Sequence, residues 1–210
     1  MLANETMVAA DGYEVCLFPL EYLYMTQDEG GDYSHVGTYN IDFVGYNGSV
    51  VVTRAPLYAP VSMKLISIGG AHEIWESLNP VHLPNGNLDY LSLLVAHDNA
   101  PPYTTIGDTV AQGQLFYRTG TAGFVTGDHV HICCGQGQGG YLVERPGGNY
   151  DLNNRIHCWE GLFVNDTVII QGYGHDWIEW DGPTPGPTRK KKKGFPWPVA
   201  WHNWKNFAIK

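Results

Sequence analysis

The sequence predicts a mainly β protein with a compact antiparallel sheet core, and three observations lead to this prediction. Short apolar runs rich in Val, Ile, Tyr and Phe alternate with Gly, Pro, Asn and Asp up to about residue 180, as strands and turns do. No long helical period interrupts them. Hydrophobic residues form 43% of the chain, charged residues 16%, and 26 positions are glycine, a composition typical of a compact, turn-rich domain.

The candidate strands follow an N-terminal segment, residues 1–30, which we expect to be irregular apart from the apolar patch VCLFPLEYLYM. In chain order they are YNIDFVG, GSVVVTRAPLYAP, KLISIGG, DYLSLLVAH, GQLFYRTG, DHVHICC and GLFVNDTVIIQG. At 210 residues the chain has room for one such core with some decoration, so a single domain over residues 31–181 is expected.

The end of the chain differs from the body in composition and charge. Proline, glycine and a lysine run predict a linker at residues 182–194, and the aromatic, basic residues 195–210 form a tail in which Trp197, Trp201 and Trp204 have helical spacing. Residues 182–210 contain seven basic residues and no acidic one, so the body carries a formal net charge of −16 within the total of −9. An acidic body argues against nucleic-acid binding.

The tail has two interpretations. Its lysines and tryptophans at residues 189–210 suit an anionic polymer or a membrane surface, or the aromatic side chains fold back onto the body and fill a groove. The first residues lack a basic segment followed by an apolar run, so no signal peptide is predicted and synthesis in the cytoplasm is expected. The four cysteines show no C-x-x-C spacing, which argues against a zinc knuckle or a redox motif.

Two short stretches carry residues suited to metal chemistry. In DHVHI, His129 and His131 would project from one face of a strand while Val130 and Ile132 point into the core. In SHVGTYNID, a histidine precedes an aspartate by seven residues. His35, Asp42 and one histidine of the H-x-H pair could bind zinc and leave a fourth position open.

Each of these elements has a simpler interpretation when it is taken alone. The H-x-H pair could be a solvated strand face, Asp42 could cap a turn, and His35 could be exposed. A fifth residue, His97, ends the apolar run LSLLVAH and could face the same groove as a proton-handling group, or it could bond to a loop.

Taken together, the elements resemble the lysostaphin/LytM-type zinc endopeptidases, which cut peptides of bacterial peptidoglycan. In that family an H-x6-D element is followed by a lone histidine, a stretch V-x-x-G-D-x-V-x-x-G-Q, then T-G-x-x-T-G and H-x-H. This chain reads HVGTYNID, VAHDN and TIGDTVAQGQLFYRTGTAGFVTGDHVHI, so the resemblance covers roughly residues 31–135.

The resemblance implies a fold, a cofactor and site residues. It implies that loops wall a groove over the sheet, that residues 31–181 form a zinc endopeptidase domain, that His35, Asp42 and His131 bind Zn2+, and that His97 and His129 are the catalytic pair. The sequence departs from the family where HVHI replaces the usual H-L-H-F and where His97 lacks the leucine that often follows it. Cys133 and Cys134 are expected to be strand residues rather than ligands.

With no signal peptide, such an enzyme fits a bacteriophage product: an endolysin released to the cell wall, or a tail-associated lysin that contacts other virion proteins. Two alternatives stay open. The first is a non-catalytic wall-binding or tail structural module on the same fold, and the second is a carbohydrate-binding β protein, since the chain has seven tryptophans and thirteen tyrosines. The second alternative leaves the spacing of the histidines unexplained.

Overall fold

The computed structural model describes residues 1–182, so most of the predicted linker at 182–194 and all of the tail at 195–210 lie outside the described residues. The described part is built from strands and one single-turn helix. Their bounds are β1 Tyr22–Gln27, β2 Ile41–Phe43, β3 Pro56–Tyr58, β4 Met63–Gly69, β5 His72–Ser77, β6 Val81–His82, β7 Leu88–Asp89, β8 Leu91–Ala96, β9 Thr109–Val110, β10 Leu115–Arg118, β11 Val130–Gln136, β12 Leu142–Glu144, β13 Tyr150–Leu152, β14 Arg155–Ile156, α1 Cys158–Gly161 and β15 Val168–Gln171.

One nine-stranded sheet organises the molecule and confirms the predicted mainly β fold. The strands follow the order β15-β1-β2-β11-β8-β5-β4-β9, and β14 pairs with β11 beside β2. Every pair in this sheet is antiparallel except β1 with β15, which is parallel. Strands β3 with β10, β6 with β7, and β12 with β13 form three small two-stranded sheets.

One face of the large sheet packs onto the main hydrophobic core. On β11, the side chains of Val130, Ile132 and Cys134 belong to this core and are fully buried, which confirms that Val130 and Ile132 point inward. Phe43 of β2 and Trp75 of β5 join them. Each large apolar side chain buried in this way contributes roughly 1.5–3 kcal/mol.

The opposite face carries a row of four residues that cross four neighbouring strands. Asp42 of β2 pairs with His131 of β11, His131 pairs with Ala96 of β8, and Ala96 pairs with His72 of β5. Residues directly opposite each other on antiparallel strands project to the same side, so the sheet register itself brings Asp42 and His131 together. A slip of one residue would turn these side chains to the other face.

Within residues 1–30 the apolar patch leads into strand β1 of the large sheet, and the residues before it form no strand. Leu23 and Met25 of β1 are buried in the core while Tyr22 and Tyr24 are half-buried, an alternation that fits an internal strand between β2 and β15. Phe18 also lies in the core, with its ring edge-on to Trp177 at 5.5 Å. Among the described residues, no helix is long and apolar enough to span a bilayer.

Candidate metal centre

Three side chains from two strands and one loop converge on a single point. His35 lies in the loop before β2, Asp42 in β2 and His131 in β11. The distance from His35 Nε2 to His131 Nδ1 is 3.2 Å, from His35 Nε2 to Asp42 Oδ1 3.2 Å, and from His131 Nδ1 to Asp42 Oδ1 3.0 Å. Within residues 1–182 no second trio of His, Cys, Asp or Glu ligand atoms comes this close together.

The size of this triangle fits a tetrahedral zinc ion. Zinc binds imidazole nitrogen and carboxylate oxygen at about 2.0–2.2 Å, and the edge of a tetrahedron is about 1.6 times that length, so ligand atoms should lie about 3.3–3.6 Å apart. The measured separations of 3.0–3.2 Å are slightly shorter than this. A small outward movement of the side chains would accommodate the ion, and three protein ligands would leave one coordination position open.

The imidazole of His35 is held in the tautomer that a metal ligand requires. Its Nδ1 lies 3.0 Å from the carbonyl oxygen of Asp28, and because a carbonyl can only accept, Nδ1 carries the proton and Nε2 presents its lone pair to the cluster. The loop around His35 is closed by two further hydrogen bonds, from the His35 amide to the carbonyl of Gly31 and from the Thr38 hydroxyl to the carbonyl of His35. His35 is fully buried.

The electrostatics of the trio keep the carboxylate charged. Burial by itself would raise the pKa of Asp42, but the interactions with the neighbouring imidazoles of His131 and His35 outweigh it and hold the pKa below its ordinary value. Burial lowers the pKa of His131, so its ring favours the neutral form. A carboxylate and neutral imidazoles are the protonation states that bind a divalent cation.

His97 and His129 lie beside the trio at the ends of β8 and β11. Their ring centroids are 4.6 Å apart, and Nε2 of His129 is 3.7 Å from Oδ1 of Asp42. Nδ1 of His97 donates to the carbonyl of Ala122, and Nδ1 of His129 donates to the carbonyl of Gly127, each at 2.8 Å. In the neutral rings both Nε2 atoms therefore keep their lone pairs for a proton.

The pair is partly shielded from solvent. Burial lowers the pKa of His97 to about 4, and the neighbouring imidazoles of His129 and His131 act in the same direction. His97 is thus neutral over the physiological range and able to accept a proton. The structure brings all five residues singled out from the sequence, His35, Asp42, His97, His129 and His131, into one neighbourhood.

A second group of planar side chains is connected to the trio through Asp28, and none of its members belongs to a sequence motif. The imidazole of His175 bonds both carboxylate oxygens of Asp28, whose carbonyl holds His35. His175 stacks on Trp159 at 3.7 Å, and Trp159 stacks in turn on His157 at 4.5 Å. His157 and His175 bond Glu29 and Asp28, which lie 128 and 147 positions away along the chain, so no local pattern indicates these contacts.

Two cysteines and a further histidine lie on strands near the trio. Cys133 and Cys134 are buried in β11, and Cys133 packs with Ile74 and Leu94 rather than facing the trio, so both are strand residues as expected. His72 lies half-buried in β5, in the row with His131.

The chain is similar in sequence to a curated bacteriophage protein. No protein-family model matches the sequence. The chain is 31% identical over 171 residues to "Morphogenesis protein 1" of Bacillus phage B103, an alignment that covers 79% of this chain and 44% of the relative. The chain therefore spans less than half of the length of that relative.

Several solved structures are similar to this fold at low identity. A zinc containing peptidase from Vibrio cholerae has a TM-score of 0.41 and 18% identity, covering 61% of this chain and 42% of that one. The catalytic domain of lysostaphin from Staphylococcus simulans has a TM-score of 0.38 and 18% identity, covering 56% of this chain and 80% of that one. A variant catalytic domain of the prophage-encoded M23 protein EnpA from Enterococcus faecalis has a TM-score of 0.37 and 19% identity, covering 60% of this chain and 85% of that one.

Proposed function

We propose that this protein is a zinc-dependent endopeptidase that hydrolyses peptide bonds of bacterial peptidoglycan. The observation that carries the proposal is the trio of His35, Asp42 and His131, whose ligand atoms lie 3.0–3.2 Å apart with two further imidazoles beside them. The same five residues stand in the order and spacing of the lysostaphin/LytM-type zinc endopeptidases. A chance grouping of surface histidines would satisfy neither condition.

The trio would hold the ion, and the chain's other groups would prepare it for hydrolysis. A zinc ion in such an open site is a Lewis acid that polarises a carbonyl group and lowers the pKa of water toward neutrality. Asp42 supplies the negative charge, while Asp28 fixes the ring of His35 through its carbonyl oxygen. The pairing of β2 with β11 sets the separation of Asp42 and His131, so two of the ligands are oriented before any ion binds.

His97 and His129 would handle protons and negative charge at the open side of the trio. Each has Nδ1 tied to a backbone carbonyl and Nε2 free, so either can accept the proton of an attacking water through Nε2. The protonated ring can then stabilise the oxyanion of the tetrahedral intermediate or return the proton to the departing amine. Nε2 of His129 lies 3.7 Å from Asp42 Oδ1, and the ring centroid of His97 lies 5.9 Å from that of His131.

The biological setting we propose is a bacteriophage. The similarity to a phage morphogenesis protein supports a virion-associated lytic enzyme, in contact with other virion proteins, ahead of a free endolysin. In either setting the protein is made in the host cytoplasm and acts at the cell wall. The basic, aromatic residues 189–210 would bind anionic wall polymers or the membrane surface through lysine charge and tryptophan side chains.

Metal content and wall hydrolysis, measured together on the full chain, test the proposal. We expect about one zinc per chain, as an open His-Asp-His site requires. Purified Gram-positive walls should release new amino termini, a chelator should stop the release, and added zinc should restore it. A metal-free protein that binds walls and that zinc does not activate would contradict the enzyme and leave the adhesion module as the function.

A further inference from the structure

The two candidate catalytic histidines share an arrangement that the metal trio does not explain. Each is next to an aspartate in sequence: His97 precedes Asp98, and Asp128 precedes His129. Both aspartates are bonded to the same residue, Arg54, which lies in the loop before β3. Arg54 therefore joins the two loops that carry the histidines.

The first contact is an ion pair with the loop of His97. Nη1 of Arg54 donates to Oδ1 of Asp98 at 2.5 Å, and the same nitrogen lies 3.2 Å from the carbonyl of Thr119. The Asp98 side chain is fully buried, and its Oδ1 also accepts the amide of Ala100. A buried carboxylate is stable only when it is paired, so the guanidinium fixes where Asp98, and with it His97, can lie.

The second contact is made by the backbone and reaches the loop of His129. The amide nitrogen of Arg54 lies 3.2 Å from both carboxylate oxygens of Asp128. The Thr119 hydroxyl donates to Oδ1 of Asp128 and also accepts the amide of Ala55, the residue after Arg54. Gly120 then pairs with His129 through two backbone hydrogen bonds.

The backbone around this junction is tightly constrained. Arg54 has φ of 56° and His97 has φ of 86°, values that residues with a side chain rarely adopt and that need support from their surroundings. A Cβ on Gly120 would lie 2.2 Å from the carbonyl oxygen of His97, so only glycine fits between the two loops. The spacing of the histidines thus depends on contacts that leave little room for adjustment.

We propose that Arg54 is a positioning residue that sets the separation and orientation of His97 and His129. This inference rests on the proposed function for its effect on catalysis, whereas the geometric effect stands without it. Arg54 contacts neither a ligand of the trio nor the open side of the site in any hydrogen bond described above. Its loss should change proton handling and leave metal binding unchanged.

Replacement of the guanidinium tests the proposal. Arg54→Ala should bind zinc as the parent does, with kcat reduced about 10- to 100-fold because small misplacements of catalytic groups have effects of that size, and KM within about twofold. The Arg54 side chain is 34% exposed, so millimolar guanidinium chloride can reach the vacated space and should restore part of the lost kcat. Lys64→Ala is the control for loss of a basic side chain, since Lys64 is exposed on β4 and should keep full activity.

A second variant covers the case in which the first does not fold. Arg54→Ala combined with Asp98→Asn removes the buried charge together with its partner, while the asparagine oxygen still accepts the amide of Ala100. This protein should fold, bind zinc and show the same reduced kcat. Full activity in a zinc-loaded Arg54→Ala or double variant, or no response to guanidinium, would overturn the positioning role.

A crystal structure of the variant separates failure of this inference from failure of the proposed function. The ring centroids of His97 and His129 are 4.6 Å apart in the parent, and we expect that distance to change in the absence of the Arg54 guanidinium. An unchanged distance would overturn the inference even in a chain without hydrolytic activity. If the parent chain is inactive but the two histidines are displaced in the Arg54→Ala variant, the proposed function alone is overturned.

Discussion

The metal trio and the His97–His129 pair lie side by side but are held in different ways. Asp42 and His131 are opposite each other on paired strands, so the register of β2 and β11 determines their distance. His97 follows the last residue of β8, and His129 precedes the first residue of β11. Contacts with the loop residues Ala122, Gly127 and Arg54 determine the distance between these two histidines. Two residues of the trio are thus positioned by the sheet itself, whereas the positions of His97 and His129 depend on side chains and loops around it.

The largest expected effect comes from removing a ligand on the sheet. His131→Ala should lose both bound zinc and hydrolysis, with activity at least about 1000-fold lower, because the ion supplies several kcal/mol of transition-state stabilisation. Metal analysis and release of amino termini from walls measure the two losses. Cys133→Ala, two residues along the same strand, is the control and should keep both; a zinc-loaded His131→Ala protein would remove His131 from the ligand set.

Removing one member of the loop-held pair should separate the two functions. His129→Ala should still bind zinc, since the trio is intact, but kcat should fall about 100- to 10,000-fold with the loss of a general acid or base. Zinc titration alongside steady-state kinetics makes the measurement. Unchanged turnover would exclude His129 from catalysis. Loss of zinc would instead make His129 a metal ligand, so the trio and the His97–His129 pair would not have separate functions.

A smaller effect is expected from the support behind His35. His175→Phe keeps the stack on Trp159 but removes the hydrogen bonds to Asp28, so zinc affinity should fall about tenfold, within the range that outer contacts of metal ligands produce. Competition with a chromogenic chelator measures it. His157→Phe is the matched control, because His157 stacks on the same tryptophan but forms its hydrogen bond with Glu29. Equal zinc affinities in the two variants would contradict a role for the contact between His175 and Asp28.

The change with the smallest expected effect on hydrolysis, namely none, concerns the stability of the fold around Glu73. Burial raises the pKa of Glu73 to about 7, and the charges of Asp98 and Asp108 add to it. The folded protein therefore holds this proton more tightly than the unfolded chain, and its stabilising contribution is full below about pH 4.5 and lost as the pH rises through about 7.

The corresponding variant is Glu73→Gln, which still offers an oxygen to the Trp75 indole nitrogen that bonds Glu73. The free energy of unfolding at pH 8 should rise by about 1 to 2 kcal/mol, and the decline between pH 5 and 7 should flatten. Urea unfolding across this range measures both. Parallel curves for the parent and the variant would contradict the raised pKa, and wall hydrolysis should be unaffected throughout.

The sequence predicted much of the fold because the signals were local. Runs such as KLISIGG and DYLSLLVAH correspond to β4 and β8, and alternation in DHVHI correctly assigned Val130 and Ile132 to the core. Strand β5, with the sequence HEIWES, was missed because its two glutamates break the apolar pattern. One of them, Glu73, is buried where no pattern would place a carboxylate.

The candidate site was predictable as a set of residue types in order, but not as an arrangement. Asp42 and His131 come within 3.0 Å through a strand pairing that joins positions 89 residues apart, and such a pairing leaves no local trace in the sequence. Arg54, Asp28 and His175 carried no motif at all. Their contribution to the site becomes visible only in the folded chain, where they contact the carboxylate and backbone groups around the histidines.

The parallel pairing of β15 with β1 has a consequence for how this protein can be shortened. β15 covers the outer hydrogen-bonding edge of β1, and β1 in turn borders β2, the strand that carries Asp42. A chain cut before Val168 would leave that edge open, and open edges recruit strands from other molecules. Self-association would then begin at the strand next to the one that carries Asp42, so shortened forms would aggregate and lose the site together.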